Sequence, residues 1–425
     1  MAEPYWLKVY FAGQTAPKRF KVEPGHEENN SLLMSALKLS RDCRSHAACL
    51  CTFGEELKLA IKLRNDKHHL ACYPFTSNLH KPECRFYKRL NKEGGQGSYA
   101  TQALSLTASG ILKVALDYPL QTKSGDDNGA SLINDEIPVR PVRGASNPVP
   151  RMSLLGLLHT LWETSRYNVW TPGMLNKRNS VTLGFHLRQE AETVRVGKVN
   201  LSEVLLTPAE GNTRNEQRNA MAVKSANASG QRLVVVAELA RHSPDRESGA
   251  GHLAIKDFSG MPYLKLDDTR WKKCLKRFPL ELAGWRAGRK VFAIAVTDVP
   301  GAKSAQVRQV ALMMVSERFI PLASSYEGLV EERLVHESRS FIKPLKYDSA
   351  EDYYLPDFYL TDVTTDNDQS FPLEVWGMDT SDYLQQKCEK SAWYSDNYGK
   401  FGWWGWDAVK DSKGIAMPSF PAKEG

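Results

Sequence analysis

The stretch SYEGLVEERLVHESRSF (325–341) opens the part of the chain whose pattern decides the fold. Its apolar positions recur at near-helical spacings among charged residues, which predicts a helix. The segment PDFYLTDV (356–363) predicts a strand, because a Pro-Asp pair opens a short apolar and aromatic run. A second strand follows in FPLEVWGM (371–378), and DYLQQKCEKSAWY (382–394) predicts a closing helix. We therefore expect helices packed on a sheet in this region.

Acidic residues lie on three of these elements: Glu327 on the first helix, Asp357 before the first strand and Glu374 inside the second. This order can bring the carboxylates together at one edge of a sheet. Carboxylate oxygens are hard ligands suited to Mg²⁺ or Mn²⁺. A nearby lysine can orient water and neutralise developing charge, and Lys387 is the first choice for it, with Lys390 the second. The plainer alternative is an acidic residue on the surface of an edge strand.

The order of these elements resembles the PD-(D/E)XK nuclease superfamily, which has the restriction-endonuclease-like fold. Asp357 follows Pro356 as in the family's Pro-Asp pair, Glu374 stands at the second-strand acid, and Glu327 at the acid of the preceding helix. The sequence departs from the motif at Trp376, where the family has a lysine. Some members take that lysine from the next helix, in a pattern that this chain matches at these residues: Glu374, Gly377, Tyr383, Lys387, Lys390 and Tyr394.

The resemblance implies a mixed sheet flanked by helices at about residues 322–400. It also implies a metal-dependent nuclease that hydrolyses the phosphodiester bonds of DNA. Its Mg²⁺ or Mn²⁺ would be held by the three acids and by the backbone carbonyl of Val375. Lys387 or Lys390 would position the attacking water.

A second cluster of chemistry lies near the N-terminus, where five of the seven cysteines fall between Cys43 and Cys84. Such clustering favours a metal over a disulfide scaffold. The spacing C-x-C followed by H-x-x-x-C predicts four zinc ligands: Cys49, Cys51, His80 and Cys84. We expect a structural Zn²⁺, because four protein ligands leave no open position for water. Cys72 is a competing ligand, and Cys43 and His46 remain alternatives.

The composition is that of a globular protein, with 42% hydrophobic and 25% charged residues in a chain of 425 residues. A net charge of +7 is compatible with a nucleic-acid partner, and we favour DNA. We expect no signal peptide, because the first residues include acidic and aromatic side chains without a long apolar run, and no apolar run of the sequence is long enough for a membrane helix. We expect a cytoplasmic protein without a membrane partner, and we leave partner proteins and oligomeric state open.

The fold class that we expect is α/β, arranged as a multidomain α+β chain in four segments. Residues 1–90 form a small zinc-stabilised β-rich unit, and 91–150 form a linker with short strands. Residues 151–225 are helical, and their basic loop at 177–179 is typical of a helix-turn-helix or winged-helix unit as well as of any small helical unit. Residues 226–425 form an α/β region that contains the nuclease-like core.

Three further patterns of the 226–425 segment bear on its core and its charge. The apolar runs LVVVAEL (233–239) and VFAIAV (291–296) predict interior strands, and HLAIKDF (252–258) predicts another strand. The sequence DTRWKKCLKRFPLELAGW (268–285) predicts one helix with a basic, partly aromatic face that is either solvated or set against phosphates. The tryptophan-rich WWGW (403–406) is expected to cover a core, with base stacking as the alternative.

A second resemblance spans the whole chain. The CLC…HKPEC element, the GLLHTLWE…W segment and the ALMMVSERFIPL…E…FIKPLKY run are similar to a family of uncharacterised proteins of bacterial plasmids and integrative conjugative elements. This likeness implies a bacterial accessory protein and assigns no reaction. It therefore keeps an alternative open, a non-catalytic zinc-containing nucleic-acid-binding or assembly protein with a degenerate nuclease fold. Trp376 is the best support for that alternative.

Overall fold

The structure is a computed structural model that describes the following residues: 5–11, 16–23, 30–42, 45–52, 56–64, 67–72, 80–81, 84–86, 104–106, 111–122, 151–301, 303–345, 355–364 and 370–423. Cys43, the Gly-rich segment 91–98 and residues 123–150 of the expected linker lie outside the described residues. The chain divides into two compact units, Met1–Gly97 with Ser105–Leu112, and Ser98–Leu104 with Lys113–Gly425. The finer division into four segments stays a prediction.

The first unit is built on an antiparallel sheet in the order β2-β1-β3-β4-β5. Its elements are β1 Tyr5–Val9, β2 Lys18–Val22, α1 Ser31–Asp42, β3 Ala47–Cys49, β4 Leu57–Arg64 and β5 Lys67–Cys72. Alternate residues of β1 are buried, as expected for a strand with one face on a core. The backbone N–H of Leu33 donates to the side chain of Asn30 at 3.0 Å, which caps α1. The expected β-rich unit is therefore present.

The remaining described elements form three further sheets with helices. The other strands are β6 Leu104–Leu106, β7 Leu112–Val114, β8 Val169–Trp170, β9 Val194–Val196, β10 Val199–Asn200, β11 Leu205–Leu206, β12 Val234–Glu238, β13 Tyr263–Lys265, β14 Lys290–Thr297, β15 Ser304–Val315, β16 Phe341–Ile342, β17 Phe358–Thr364, β18 Ser370–Trp376 and β19 Trp404–Asp407. The other helices are α2 Leu154–Thr164, α3 Ser180–Ala191, α4 Leu201–Val204, α5 Arg214–Ser229, α6 Pro244–Ser248, α7 Asp268–Arg277, α8 Pro279–Arg286, α9 Ser325–His336 and α10 Ser381–Tyr398. The expected α/β class is confirmed.

A central sheet has the strand order β11-β12-β14-β15-β13. β12 is buried throughout and β14 from its second residue onward, so the two apolar runs form interior strands as predicted. Helix α2 packs on β14 and β15. Its Trp162 contacts the ring of Phe292 at 5.1 Å and donates a hydrogen bond from Nε1 to the carbonyl of Phe319 at 2.9 Å. The apolar stripe of α2 therefore belongs to the core of this sheet.

Two sequence expectations for this region differ from the structure. The single helix predicted over 268–285 is two helices, α7 and α8, interrupted at Phe278. Pro279 explains the break, because a residue before proline is driven out of the helical region and proline is well placed at the first helical position. The segment 252–258 forms isolated bridges instead of a strand.

The C-terminal sheet has the order β19-β18-β17-β16-β8. β8, β16, β17 and β18 pair antiparallel, and β19 runs parallel to β18. The predicted order of helix, strand, strand and helix is present as α9, β17, β18 and α10. The WWGW segment supplies β19, in which Trp404 and Trp406 are buried, as expected for residues that cover a core.

A small sheet in which β9 and β10 pair antiparallel completes the strands of the described residues. Of the helices that the structure describes, none has the length and apolar character required to cross a membrane.

Candidate active site and metal centre

The first helix of the C-terminal region holds Glu327 at its N-terminal end. Ser324 caps α9 by accepting from the backbone N–H of Glu327 at 3.1 Å, and Glu327 Oε2 accepts from the N–H of Ala323 at 2.8 Å. This reciprocal arrangement resembles a capping box and fixes the carboxylate. Glu327 is only 4% exposed, so the cap places a carboxylate inside the protein instead of at its surface.

Asp357 is held against the second acidic strand by the backbone. Its N–H donates to the carbonyl of Leu373 at 2.9 Å, and its Oδ2 accepts from the N–H of Val375 at 2.8 Å. Val375 directly follows Glu374 in β18. The pairing of β17 with β18 therefore brings the second and third predicted acids side by side, with Val375 next to both.

Lys343 joins the cluster, although the sequence assigned it no role and it belongs only to the FIKPLKY run of the whole-chain resemblance. It follows β16, and its Nζ lies 2.9 Å from Glu327 Oε2 and 3.5 Å from Asp357 Oδ1. Its backbone is fixed by Asn168, which accepts from the N–H of Lys343 at 2.8 Å and donates from Nδ2 to its carbonyl at 3.0 Å. Lys343 is 6% exposed, so its ammonium is a buried cation between two carboxylates.

The third acid is held by the closing helix α10. Lys390 Nζ lies 2.6 Å from Glu374 Oε1 and donates to the carbonyl of Leu355 at 3.1 Å. The hydroxyl of Tyr394 donates to Glu374 Oε2 at 3.0 Å. Both residues belong to the helical pattern noted in the sequence, and the structure brings both to Glu374.

Lys387, the other lysine of that pattern, pairs with Asp407, which is not one of the three predicted acids. Lys387 Nζ is 3.0 Å from Asp407 Oδ2, which also pairs with Lys410. Trp376, at the position where the nuclease motif has its lysine, is buried, and the ammonium of Lys387 lies 5.5 Å from the centre of its ring. Of the two lysines named from the sequence, Lys390 is therefore the one that contacts an acid of the cluster.

The acid–lysine cluster consists of Glu327, Asp357, Glu374, Lys343 and Lys390. Burial strongly affects the ionisation of its three acids. Burial raises the pKa of Glu327 to about 7, against the opposing effect of Lys343. Burial and the nearby Asp357 raise the pKa of Glu374 to about 8, against the opposing effect of Lys390. Burial opposes the ionisation of Asp357 as well, but Lys343 and Lys390 together lower its pKa below the usual value. Asp357 is therefore the acid most firmly held as a carboxylate.

Carboxylate oxygens are donors of the kind that divalent ions prefer, but among the described residues the three acids do not form a group whose ligand atoms all lie within 4.8 Å of one another. Three carboxylates face two ammonium groups, which leaves one net negative charge when all five are ionised. A cation, the ammonium of Lys343, already lies between Glu327 and Asp357. Oxygen donors of this kind suit Mg²⁺ or Mn²⁺.

The predicted zinc ligands come together in the first unit. The ligand atoms of Cys49, Cys51, His80 and Cys84 all lie within 4.8 Å of one another. Among the described residues, this is the group of three or more Cys, His, Asp or Glu side chains that could hold a metal ion. Cys49 ends β3, and its Sγ lies 3.6 Å from Cys84 Sγ. His80 Nδ1 lies 3.3 Å from Cys51 Sγ and 3.6 Å from Cys84 Sγ. Tetrahedral zinc requires separations of about 3.5–3.8 Å between such atoms, so the cluster can hold a metal ion such as zinc.

The three thiols of the cluster differ in their pKa values: that of Cys84 is lowered, whereas those of Cys49 and Cys51 are raised, the latter mainly by burial. The hydrogen bond from Cys49, with a contribution from His80, lowers the pKa of the Cys84 thiol to about 4, while the same hydrogen bond raises the pKa of Cys49. Thiolate is the form that binds zinc. Among the alternative ligands, His46 stacks on the ring of Tyr10 at 4.6 Å, and Cys72 ends β5.

The basic residues noted in the sequence have defined surroundings. In the loop before α3, Arg178 donates to the carbonyls of Tyr167 at 3.1 Å and Arg318 at 3.0 Å, and Asn179 caps the helix. On α7, Trp271 is buried and donates to the carbonyl of Arg246 at 2.8 Å, so its ring is not available for stacking on a base. The basic residues of α7 are exposed: Lys272, Lys273, Lys276 and Arg277.

Comparison with known proteins identifies a family and no activity. No curated protein and no solved structure matches the chain, and nothing in the comparisons relates it to the PD-(D/E)XK nucleases. The model of one family, described as "Protein of unknown function (DUF1173)", matches residues 20–408. Because that match spans most of the chain, the protein belongs to the DUF1173 family.

Proposed function

We propose that the protein is a metal-dependent nuclease that hydrolyses phosphodiester bonds of DNA at the acid–lysine cluster. The observation that carries this proposal is the convergence of three carboxylates and two lysines from five separate parts of the chain, with Glu327, Glu374 and Lys343 buried. Buried ionic groups contribute little to stability compared with apolar residues of similar size, and groups with strongly shifted pKa values concentrate at functional sites.

The residues divide into two roles. Glu327, Asp357 and the carbonyl of Val375 would hold Mg²⁺ or Mn²⁺, with Glu374 beside them. The ion would polarise the phosphodiester and lower the pKa of its bound water. Lys390 donates to Glu374 and can orient a water molecule at that carboxylate, while Tyr394 holds the carboxylate in place. We assign the lysine role to Lys390 instead of Lys387, because Lys387 pairs with Asp407.

In the first unit, a bound Zn²⁺ would have a structural role and would stabilise the fold of that unit. Cys49, Cys51, His80 and Cys84 would bind a structural Zn²⁺, since all four positions of a tetrahedral ion are filled by the protein. The net charge of +7 and the exposed lysines of α7 support a nucleic-acid partner, with DNA preferred. The resemblance of the sequence to proteins of plasmids and integrative conjugative elements supports a role as an accessory protein of such an element.

A second candidate function is a non-catalytic nucleic-acid-binding or assembly protein that keeps a degenerate nuclease fold. A specific observation favours it. Each of the three acids already has a hydrogen-bonded or ionic partner in the protein, and Trp376 stands where the nuclease motif has its lysine. A satisfied, buried network of this kind can serve the fold alone.

Cleavage assays decide between the two functions. Purified full-length protein is incubated with supercoiled plasmid and with single-stranded DNA in Mg²⁺ or Mn²⁺, beside Asp357→Asn, Glu374→Gln and the control Asp379→Asn, whose side chain is exposed. We expect cleavage by the native chain and the control, and a loss of at least about 100-fold in the two site variants, because each replaces a carboxyl oxygen of the cluster with an amide nitrogen, which does not bind a divalent ion.

The opposite results are equally clear. Cleavage that persists in both site variants would show that the cluster is not the active site. Inert native protein that binds DNA as tightly as its folded variants, with salt-dependent affinity, would favour the binding protein.

A further inference from the structure

We propose that Lys343 is a built-in competitor of the divalent ion: its ammonium occupies the cation position between Glu327 and Asp357, and metal binding displaces it. Lys343 is thus a positioning residue that sets the affinity of the site for metal. The inference rests on the proposed metal site, and it concerns a residue that neither the nuclease motif nor the family assignment brings into play.

The ammonium of Lys343 lies between two carboxylates that would hold the ion. Its nitrogen is within 3.5 Å of one oxygen of each carboxylate, at 2.9 Å from Glu327 and 3.5 Å from Asp357. The ring of Phe358 lies 5.0 Å from the same nitrogen, so an aromatic face stabilises the cation as well. Lys390 is engaged separately by Glu374, and therefore Lys343 is the cation that Glu327 and Asp357 share.

The ammonium of Lys343 and the divalent ion cannot occupy the same position. An ammonium and a divalent ion a few ångströms apart in a buried site repel each other strongly, so binding of the ion requires that Lys343 leave. The backbone of Lys343 is tied to Asn168 by two hydrogen bonds, whereas its side chain has four rotatable carbons beyond the backbone. Displacement is therefore a rotation of the side chain, with the strand connection left in place.

The exchange has two measurable consequences. Without Lys343 the ion no longer competes with an internal cation, so the affinity for metal increases. Without Lys343 and without metal, the buried Glu327 and the partly buried Asp357 have no cation between them, so the protein is less stable. A divalent ion would then restore the stability that the lysine supplied.

The test uses Lys343→Met, which keeps the apolar stem and removes the charge, and measures the binding of Mn²⁺ to full-length protein by calorimetry. We expect Lys343→Met to bind Mn²⁺ at least about ten-fold more tightly than the native chain, through removal of one buried like charge. We also expect its melting temperature to be lowered without Mn²⁺ and restored by Mn²⁺. Lys343→Arg keeps the charge and should match the native chain in both measurements.

Two controls isolate the site. Lys256→Met removes another lysine that pairs with a buried acid, Glu238, at 2.6 Å outside the cluster, and should not change the Mn²⁺ affinity. Asp357→Asn in the Lys343→Met background should abolish the tight Mn²⁺ site, which separates it from Mn²⁺ bound elsewhere. If Lys343→Met folds only when Mn²⁺ is present, that recovery supports the proposal in the same way as a restored melting temperature.

Three outcomes would overturn the inference. Suppose that the native protein binds Mn²⁺ through Asp357, but Lys343→Met binds it equally or more weakly. The metal site would then be supported, and only the competition between Lys343 and the ion would be contradicted. The absence of Asp357-dependent Mn²⁺ binding in every variant would overturn the metal site and this inference together. Failure of Lys343→Met to fold in Mn²⁺, while Lys343→Arg folds, would show that the lysine is required by the fold itself.

Discussion

At the scale of single residues, buried charge extends beyond the acid–lysine cluster along α9. Glu331 lies one turn after Glu327 and has no exposed surface. Its Oε1 accepts from Ser316 Oγ at 3.0 Å, and its Oε2 lies 3.0 Å from Arg318 Nη1. Burial raises the pKa of Glu331 above the usual 4.5, and these two partners only partly oppose the increase.

This carboxylate predicts a pH dependence of stability. Because the pKa is higher in the folded than in the unfolded chain, Glu331 contributes stability that is present below pH 4.5 and is lost as the pH rises through the folded value. Glutamine cannot ionise, so Glu331→Gln should gain free energy of unfolding relative to the native chain as the pH rises from 4.5 to neutral. Urea unfolding at several pH values measures the difference.

The control for this prediction is the neighbouring, exposed Glu332→Gln. Its free energy of unfolding should differ from that of the native chain by a nearly constant amount across the same pH range. A constant difference for Glu331→Gln as well, or one that favours the native chain near neutral pH, would contradict the assignment of a buried, raised pKa to Glu331.

The residue scale also shows what local sequence can predict. Cys49, Cys51, His80 and Cys84 were found because zinc requires side chains at short, regular spacings, and such spacings are visible without a fold. Lys343 was missed because its role depends on a strand of only two residues, β16, that carries it to Glu327 and Asp357. A lysine in an apolar segment has no such local signal.

The choice between Lys387 and Lys390 illustrates the same limit. The two lysines are three residues apart on α10 and therefore lie close together on the helix surface. The orientation of α10 against β18 places Lys390 at Glu374 and Lys387 at Asp407. That orientation depends on tertiary packing, which the sequence pattern does not contain.

At the scale of elements, the long helices and strands could be predicted from the sequence, but the elements against which they pack could not. The apolar stripe of α2 indicated a buried face, but not that the face would cover β14 and β15. The two-residue strand β8, which extends the C-terminal sheet next to β16, gave no periodic signal because alternation needs at least four residues. The break between α7 and α8 did have a local signal in Pro279.

The packing of α2 leads to a prediction about stability. Leu158 is completely buried on this helix, so Leu158→Ala should lower the free energy of unfolding by about 2–5 kcal/mol, from lost burial and the cavity left behind. Leu175→Ala is the matched control, because Leu175 is 57% exposed and its truncation should cost less than about 0.5 kcal/mol. Chemical denaturation, monitored by tryptophan fluorescence, measures both.

A small loss in Leu158→Ala, similar to that of the control, would contradict the placement of α2 in the core of the central sheet. The measurement therefore tests the fold of this segment as well as the energy of one side chain.

At the scale of the whole molecule, two kinds of ligand chemistry are separated along the chain. The first unit offers three thiols and an imidazole, and the second offers buried carboxylates. Soft thiolates select zinc, whereas carboxylates select Mg²⁺ or Mn²⁺. A chelator specific for zinc, or removal of one thiol, should consequently affect the two units differently.

Removal of the proposed Zn²⁺ gives the prediction at this scale. In Cys49→Ser, or in native protein treated with a zinc chelator, backbone amides of β1, β3 and β4 should exchange with deuterium faster, because a small β-rich unit gains much of its stability from its metal. Amides of β12, β14 and β15 should keep their protection, since those strands have an extensive apolar core of their own. Cys274→Ser is the control, because this buried cysteine lies on α7 and its loss should leave the zinc content unchanged. Unaltered exchange in β1, β3 and β4 after complete loss of zinc would show that the cluster binds metal without supporting the fold, and its role would have to be sought in the chemistry of the thiols.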